Sequence, residues 1–363
     1  MNCKKSEILT TAVFCGFLGI MAALYLLLPK TAFSETEKRY LAEPPALTWE
    51  AVASGDWGSA AETYMADHIP GRNFFVGLNA YYDLYTGRQN TKDVRLTEDG
   101  RLVAAPVARD TAAVARNMDA IYRFAQTVGQ PVDLMIVPSA GWAAGLEGYP
   151  DEDLMTEIYA AGDTGVQPVD VAEVFSGRKD LYYKTDPHWT SEGAYHAYAA
   201  YMTQKGRDYR AAENFAVERQ SGFQGSTYSR SALWLTEAEP LELWTGSEKL
   251  TVTNGEKEEA HAGVFYRERL EEADKYTVYL DGNHSLVRIQ NPEKTGNLLV
   301  IRDSYSNCLG CFLAESYGEV VLVDLRYYKQ PISQLAAAEG FDDILVCYSI
   351  SNFLTDVNLI WLR

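Results

Sequence analysis

Cysteine is scarce, with five in 363 residues. Cys3 and Cys15 fall in the N-terminal apolar region, leaving Cys308, Cys311 and Cys347 for the rest of the chain. That excludes a disulfide framework as the main source of stability. Basic residues are also short, 32 Lys and Arg against 50 Asp and Glu, for a formal net charge of −18. Nucleic acid, or an anionic polymer held by bulk charge, is therefore excluded as a partner, and an anionic substrate would need a local basic pocket. The five histidines are scattered, and nothing in their spacing calls for a metal or an organic cofactor. Internal repeats, low-complexity tracts and a Gly-x-Ser-x-Gly motif are all missing.

Long apolar runs are missing too, apart from one. Met1–Glu7 is a short tail carrying Lys4 and Lys5, and Ile8 to Pro29 follows without a charge. As a helix this run spans roughly 30 Å, the thickness of a bilayer core. Its flank, Leu28-Pro-Lys-Thr-Ala32, does not read as a cleavage site, so an uncleaved signal anchor is expected over residues 1–30. Lys30, Lys38 and Arg39 offset Lys4 and Lys5, so charge alone leaves the orientation open.

With 47% hydrophobic residues, the remaining chain can bury a full core. Residues 31–100 read as a charged, prolyl tether, a helical stretch from Asp56 to Gly87, and a hairpin turning at Asp99-Gly100. Phe74, Phe75, Leu78, Tyr81, Tyr82 and Tyr85 form an aromatic stripe, expected to pack on the main domain.

From residue 101 the pattern is α/β. Arg109–Val128 reads as an amphipathic helix and Val132–Val137 as a buried strand. A helix over Asp151–Ala161, a short strand over Val169–Val171 and a helix over Ser191–Lys205, capped by Thr190 or Ser191, come next. Leu241 to Tyr279 reads as an antiparallel excursion, part of a β-rich insertion around 240–290. Its charge runs at Glu256–Glu259 and Arg267–Lys275 are assigned to solvated faces. Strands at Leu298–Ile301, Val320–Val323 and Ile344–Val346, with a helix over Ile332–Glu339, imply parallel pairing with right-handed crossovers. Ligands of such a sheet bind beyond the carboxyl ends of its strands. Those ends carry Ser139, Ser304, Arg326 with Tyr327, and Ser349 with Asn352.

Two stretches carry chemistry. In Asn297-Leu-Leu-Val-Ile-Arg-Asp-Ser-Tyr-Ser-Asn307 an apolar strand stops at an acid and a hydroxyl, and helical spacing follows through Tyr317. Ser304 thus falls on a tight strand-to-helix turn, where it is either a helix cap or a nucleophile beside a backbone N–H able to bind an oxyanion. In Tyr182-Tyr-Lys-Thr-Asp-Pro-His-Trp-Thr-Ser191, Asp186 and His188 lie two apart, facing one way if the segment is extended. A carboxylate so placed can orient an imidazole that takes a proton from a serine hydroxyl. Gly282 and Asn283 are the candidate oxyanion turn, with His284 beside them; Gly permits close approach and Asn offers an amide donor. Arg326 either holds a substrate oxygen or pairs structurally with Asp324. Trp142, Trp189, Trp234 and Trp244 are available to stack on sugars or to pack in the core. A rival reading comes from Cys308-Leu-Gly-Cys311, since thiol oxidoreductases place Cys-x-x-Cys at a helix start. Here the usual flanking Trp and Pro are missing, and the apolar face of the helix accounts for both sulfurs.

Thr185-Asp-Pro-His-Trp-Thr190 with Ser191-Glu-Gly-Ala-Tyr195 resembles the signature of the bacterial DHHW family, related to the alginate O-acetylation proteins. The likeness extends to Tyr279–Ser285, Arg302-Asp-Ser-Tyr305, Asp324–Tyr328 and Asp67-His-Ile-Pro-Gly-Arg72, with Phe223–Tyr228 resembling a loop near the family's site. Pro187 stands where the family motif has its first His, and the Asp-x-His spacing survives. The resemblance implies an SGNH-hydrolase-like (flavodoxin-like) parallel sheet flanked by helices, in permuted order with the Asp-x-His pair before the serine. It implies Ser304, His188 and Asp186 as a triad, with O-acetylation of a cell-surface or secreted polysaccharide as the activity. It also implies a membrane-bound O-acyltransferase as acyl supplier and a single-pass membrane protein whose large domain is extracytoplasmic. An esterase of the same mechanism and a non-catalytic glycan-binding scaffold stay open as alternatives.

Overall fold

The computed structural model describes residues 2–88, 90–91, 93–162, 164–255 and 259–362. The charge run at 256–258 therefore lies outside the described residues. Two compact units are present: Met1–Thr91 with Ser229–Leu235, and Lys92–Tyr228 with Thr236–Arg363.

The first unit begins with a helix over Asn2–Leu27, of which Ser6–Leu27 is long and apolar enough to cross a membrane. The stretch from Asp56 forms two helices, Asp56–Asp67 and Arg72–Tyr85, broken where Pro70 removes a donor and Gly71 adopts a φ of +71°. Around the Asp67–Arg72 motif the charges pair: Arg39 binds Asp67 at 3.0 and 2.6 Å, and Arg72 binds Glu37 at 2.7 Å. Within this unit the aromatic stripe is not buried. Phe74, Phe75, Leu78, Tyr82 and Tyr85 are exposed, and only Gly77 and Ala80 of their helix are buried. Trp234, joined to this unit by its contacts, stacks on Phe74 and tilts against Tyr81. Helical periodicity gave the face but not what covers it.

The second unit is built on an eight-stranded sheet. Its strands are β1 (Val132–Val137), β2 (Val166–Pro168), β3 (Thr251–Asn254), β4 (His261–Ala262), β5 (Leu286–Gln290), β6 (Asn297–Arg302), β7 (Glu319–Val323) and β8 (Asp343–Ser349). Their spatial order is β4-β3-β5-β7-β6-β8-β1-β2. From β7 to β2 all pairings are parallel; β5, β3 and β4 extend the sheet antiparallel. The fold is therefore α/β with a mostly parallel sheet.

Strand β6 shows why an unbroken apolar run was required. Leu298 and Val300 enter one core cluster while Leu299 and Ile301 enter another, so both faces are covered. On the first face lie helices over Ser191–Lys205 and Ser306–Leu313; on the second lie helices over Thr111–Val128, Asp151–Ala160 and Ile350–Thr355. Each fully buried aliphatic side chain in these layers contributes on the order of 1.5–3 kcal/mol.

Two expected strands move. The residues paired with β1 are Val166–Pro168 rather than Val169–Val171. Val169 and Val171 are buried by packing, and the Asp170 carboxylate accepts the Ala172 N–H at 2.9 Å, turning the chain away. In the expected excursion, Glu239–Thr245 leaves the main sheet and pairs with Ala216–Phe223 as a separate ribbon. Arg267–Glu271 and Lys275–Val278 are 3-10 turns.

Candidate active site

Strand β6 ends at Arg302, and the next helix starts at Ser306. Ser304 sits between them, at the carboxyl edge of the parallel sheet. Asp303 anchors this turn: its Oδ1 accepts the Tyr305 N–H at 3.0 Å, and its Oδ2 accepts the Ser349 N–H and the Asn352 amide, both at 2.8 Å.

The loop bearing Asp186 and His188 is not extended. Tyr182 and Trp189 form an antiparallel bridge, and Tyr183 N donates to His188 O at 3.1 Å, so residues 183–188 close as a tight turn. Buried Arg101 holds the turn from behind, donating to the carbonyls of Tyr182 and Tyr183 at 2.9 and 2.8 Å. Glu239 binds the N–H groups of Lys184 and Thr185 at 2.8 and 2.7 Å. Trp189 is fully buried, its indole N–H donating to Tyr305 O at 3.1 Å, so it anchors the turn and offers no face to a ligand.

This closure brings Asp186, His188 and Ser304 together. His188 Nδ1 hydrogen-bonds Asp186 Oδ1, and His188 Nε2 lies 2.8 Å from Ser304 Oγ. Because a carboxylate only accepts, the proton sits on Nδ1, and Nε2 is left to accept from the serine hydroxyl. Asp186 also accepts the His188 N–H at 3.1 Å, the Ser226 N–H at 2.7 Å and the Ser226 hydroxyl at 3.0 Å. Burial alone would raise this carboxyl, but its electrostatic interaction with the His188 imidazole and these hydrogen bonds hold it well below the ordinary carboxylate range. The imidazole is sandwiched by Tyr276, stacked with a centroid separation of 4.1 Å, and Tyr305, tilted at 4.7 Å. Tyr305 Oη in turn donates to Pro187 O at 2.5 Å.

The remaining expected residues divide. Gly282 takes a φ of +81°, but its N–H is already donated to Tyr279 O at 3.0 Å, so it supplies the turn and not an oxyanion donor. Asn283 uses its side-chain oxygen to accept from Arg302 and from Asn307, both at 3.0 Å. His284 is drawn to Asp281. Arg326 pairs with Asp324 through Nε at 2.9 Å and Nη2 at 2.6 Å, the structural alternative, and with Asp303 and Asn352 lines a polar cavity of about 240 Å³. Tyr327 is exposed. Ser139 and Ser349 act as helix caps.

Five residues were given no site role from sequence, Ser226, Tyr276, Arg302, Asp303 and Asn307, although Ser226 and the Arg302-Asp303 pair lie in stretches that resemble the family. For Arg302 and Asp303 a signal existed, since two charged residues directly after a doubly buried strand cannot both reach solvent. For Ser226 and Tyr276, brought in from distant loops, residue type carries none.

A comparison with curated proteins finds no match. Among solved structures, the chain is similar to a DHHW family protein from Eubacterium siraeum, 21% identical, covering 73% of this chain and 93% of that one at a TM-score of 0.65. It is also similar to PatB1 from Bacillus cereus, 21% identical over 72% of this chain and 97% of that one, TM-score 0.61. The same protein with a sulfonyl adduct gives 21% identity, 72% and 96% coverage and 0.60. At this identity the likenesses establish the shared fold. The DHHW protein family model matches residues 157–323, a span that holds Asp186, His188 and Ser304.

Proposed function

We propose that this chain is a serine O-acyltransferase, most simply an O-acetyltransferase, acting on a cell-surface or secreted polysaccharide. The observation that carries the reading is the relay Asp186–His188–Ser304, with 2.8 Å between imidazole and hydroxyl. Ser304 Oγ attacks the acyl carbonyl while His188 Nε2 takes its proton, and Asp186 stabilises the imidazolium. The Ser304 N–H and the Asn283 side-chain amide are the proposed oxyanion donors. Collapse of the tetrahedral adduct returns the proton from His188 to the leaving group and leaves an acyl-serine. A sugar hydroxyl then attacks, deprotonated by the same His188, and the second adduct collapses by breaking the acyl–Ser304 Oγ bond as His188 returns that proton to the serine, leaving the acyl group on the sugar; attack by water gives the esterase outcome.

The resemblance to alginate O-acetylation proteins supports the polysaccharide acceptor and an acyl donor supplied by a membrane-bound O-acyltransferase. The apolar helix Ser6–Leu27 supports a single-pass anchor with the large domain extracytoplasmic. The occurrence of a sulfonyl adduct in a structurally similar protein accords with a nucleophilic site, because sulfonyl groups are captured by activated nucleophiles.

The test is acetate release from 4-nitrophenyl acetate by the detergent-solubilised chain, repeated with oligosaccharide acceptors to detect transfer. Ser304→Ala and His188→Ala should each lower kcat by about 10³-fold or more. Unchanged turnover in either variant would remove the triad, and wild-type protein that binds glycans without turnover would leave the scaffold alternative.

A further inference from the structure

Arg302 is completely buried at the end of β6, yet its Nε and Nη2 find no hydrogen-bond partner among the described residues. Its Nη1 makes two bonds, to Asn283 Oδ1 at 3.0 Å and to Asn307 Oδ1 at 2.5 Å. A guanidinium donates and never accepts, so both amides must present oxygen to it. That requirement turns Asn307 Nδ2 outward, and it donates to Asn283 Oδ1 at 3.0 Å. Asn283 thus receives two donors on its oxygen, and a flip of its amide would set N–H against N–H twice. Its Nδ2 is consequently fixed as a donor on the far side from Arg302.

The backbone in front of Asn283 is built for the same placement. Leu280, Asp281 and Gly282 are three consecutive residues with positive φ, +57°, +64° and +81°. For Leu280, buried and with a full side chain, that conformation is strained. Bonds on every side hold it: Leu280 N to Val264 O at 3.1 Å, Asn254 Nδ2 to Leu280 O at 3.1 Å, and Arg269 Nε to Asp281 Oδ1 at 2.6 Å. Asp324 and Asp303 favour its charge from nearby, but neither bonds it, and a buried cation with two nitrogens left unbonded among the described residues costs stability that Met or Leu in its place would not. Packing therefore does not explain Arg302.

We propose that Arg302 and Asn307 are positioning residues that lock the Asn283 amide with its Nδ2 aimed at the developing oxyanion of the Ser304 adduct. The proposal rests on the serine acyl-transfer reading. The guanidinium adds positive potential behind the amide it orients, which strengthens Nδ2 as a donor to negative charge.

The experiment is a double-mutant cycle on 4-nitrophenyl acetate turnover by the detergent-solubilised full chain, with Ser304→Ala as reference. Asn283→Ala and Arg302→Met should each lower kcat by about 10–100-fold with KM within about threefold, as expected for a group that acts only in the transition state. Because Arg302 acts through Asn283, the double variant should be no slower than the worse single one. Asn307→Asp keeps an acceptor for Arg302, whose cation meets the new charge, and turns the donor to Asn283 into an acceptor, so it should fold and still lose kcat. The rate of inactivation by a sulfonyl fluoride, which needs the same nucleophile without turnover, should fall in parallel. Multiplying effects in the double variant, or wild-type kcat in Asn307→Asp beside an impaired Asn283→Ala, overturns the clamp and leaves the triad standing. Full activity in Ser304→Ala overturns both.

Discussion

Asp186 gathers four donors on its two oxygens, and one residue without a side chain makes that possible. A Cβ on Gly225 would lie 2.2 Å from Asp186 Cβ and 2.3 Å from Oδ2, a separation that real atoms do not tolerate. Gly225→Ala should therefore push Asp186 off the imidazole, lowering kcat by roughly 10²-fold and costing on the order of 1–3 kcal/mol of stability. Steady-state kinetics and thermal melts check this, and a normal kcat would show that the loop yields without moving the acid. The same carboxylate links stability to pH. Its folded pKa is depressed below the ordinary value of 3.8, so its contribution is complete well above that pH and is lost as pH falls through 3.8 and below. Melts of wild type and Asp186→Asn should differ at pH 7, and the gap should begin to narrow as the medium is acidified below pH 3.8. A gap that widens with acidity would mean that the carboxyl is protonated in the native state.

At the scale of elements, the helix after Ser304 weighs against the thiol reading. Ser306–Leu313 is buried along its whole length. Burial pushes the Cys308 thiol up to about 12 and that of Cys311 well above its ordinary range, the opposite of an activated thiolate. Neither sulfur should react with iodoacetamide at pH 8 until denaturant is added, a result read by mass spectrometry of peptides; rapid native labelling of Cys308 would revive the redox alternative. Elements marked by a single strong signal were legible beforehand. Val132–Val137 and Ser191–Lys205 lie where the apolar run and the cap place them, because local pattern and tertiary burial agree there. Asp186, His188 and Ser304 were legible as residues, since a strand end and a two-residue spacing announce themselves. What holds them was not. The Ser226 N–H, the Arg101 clamp and the ring of Tyr276 reach the site through loops whose course depends on the whole fold, and the ribbon at Glu239–Thr245 chose a partner that no local rule names.

At the scale of the molecule, the negative charge and the apolar helix pull in different directions at a lipid surface. A chain of net charge −18 is repelled by anionic headgroups, so bulk electrostatics cannot hold it on a membrane. Residues Ser6–Leu27, 22 in number and without a charge after Glu7, reach about 33 Å as a helix, enough to cross the hydrocarbon layer. Attachment by insertion is indifferent to ionic strength, whereas peripheral attachment through charge weakens in salt. The full chain reconstituted with phosphatidylcholine vesicles should therefore float with the lipid in a density gradient at about 0.1 M and at about 1 M salt, where the Debye length is about 10 and about 3 Å, and should resist alkaline carbonate. A chain lacking residues 2–27 should stay at the bottom of the same gradient while losing only the helical circular dichroism of the removed segment. Flotation of the shortened chain, or release of the full chain by salt or carbonate, would place the attachment elsewhere on the molecule and remove the anchor from the proposed acyl-transfer arrangement.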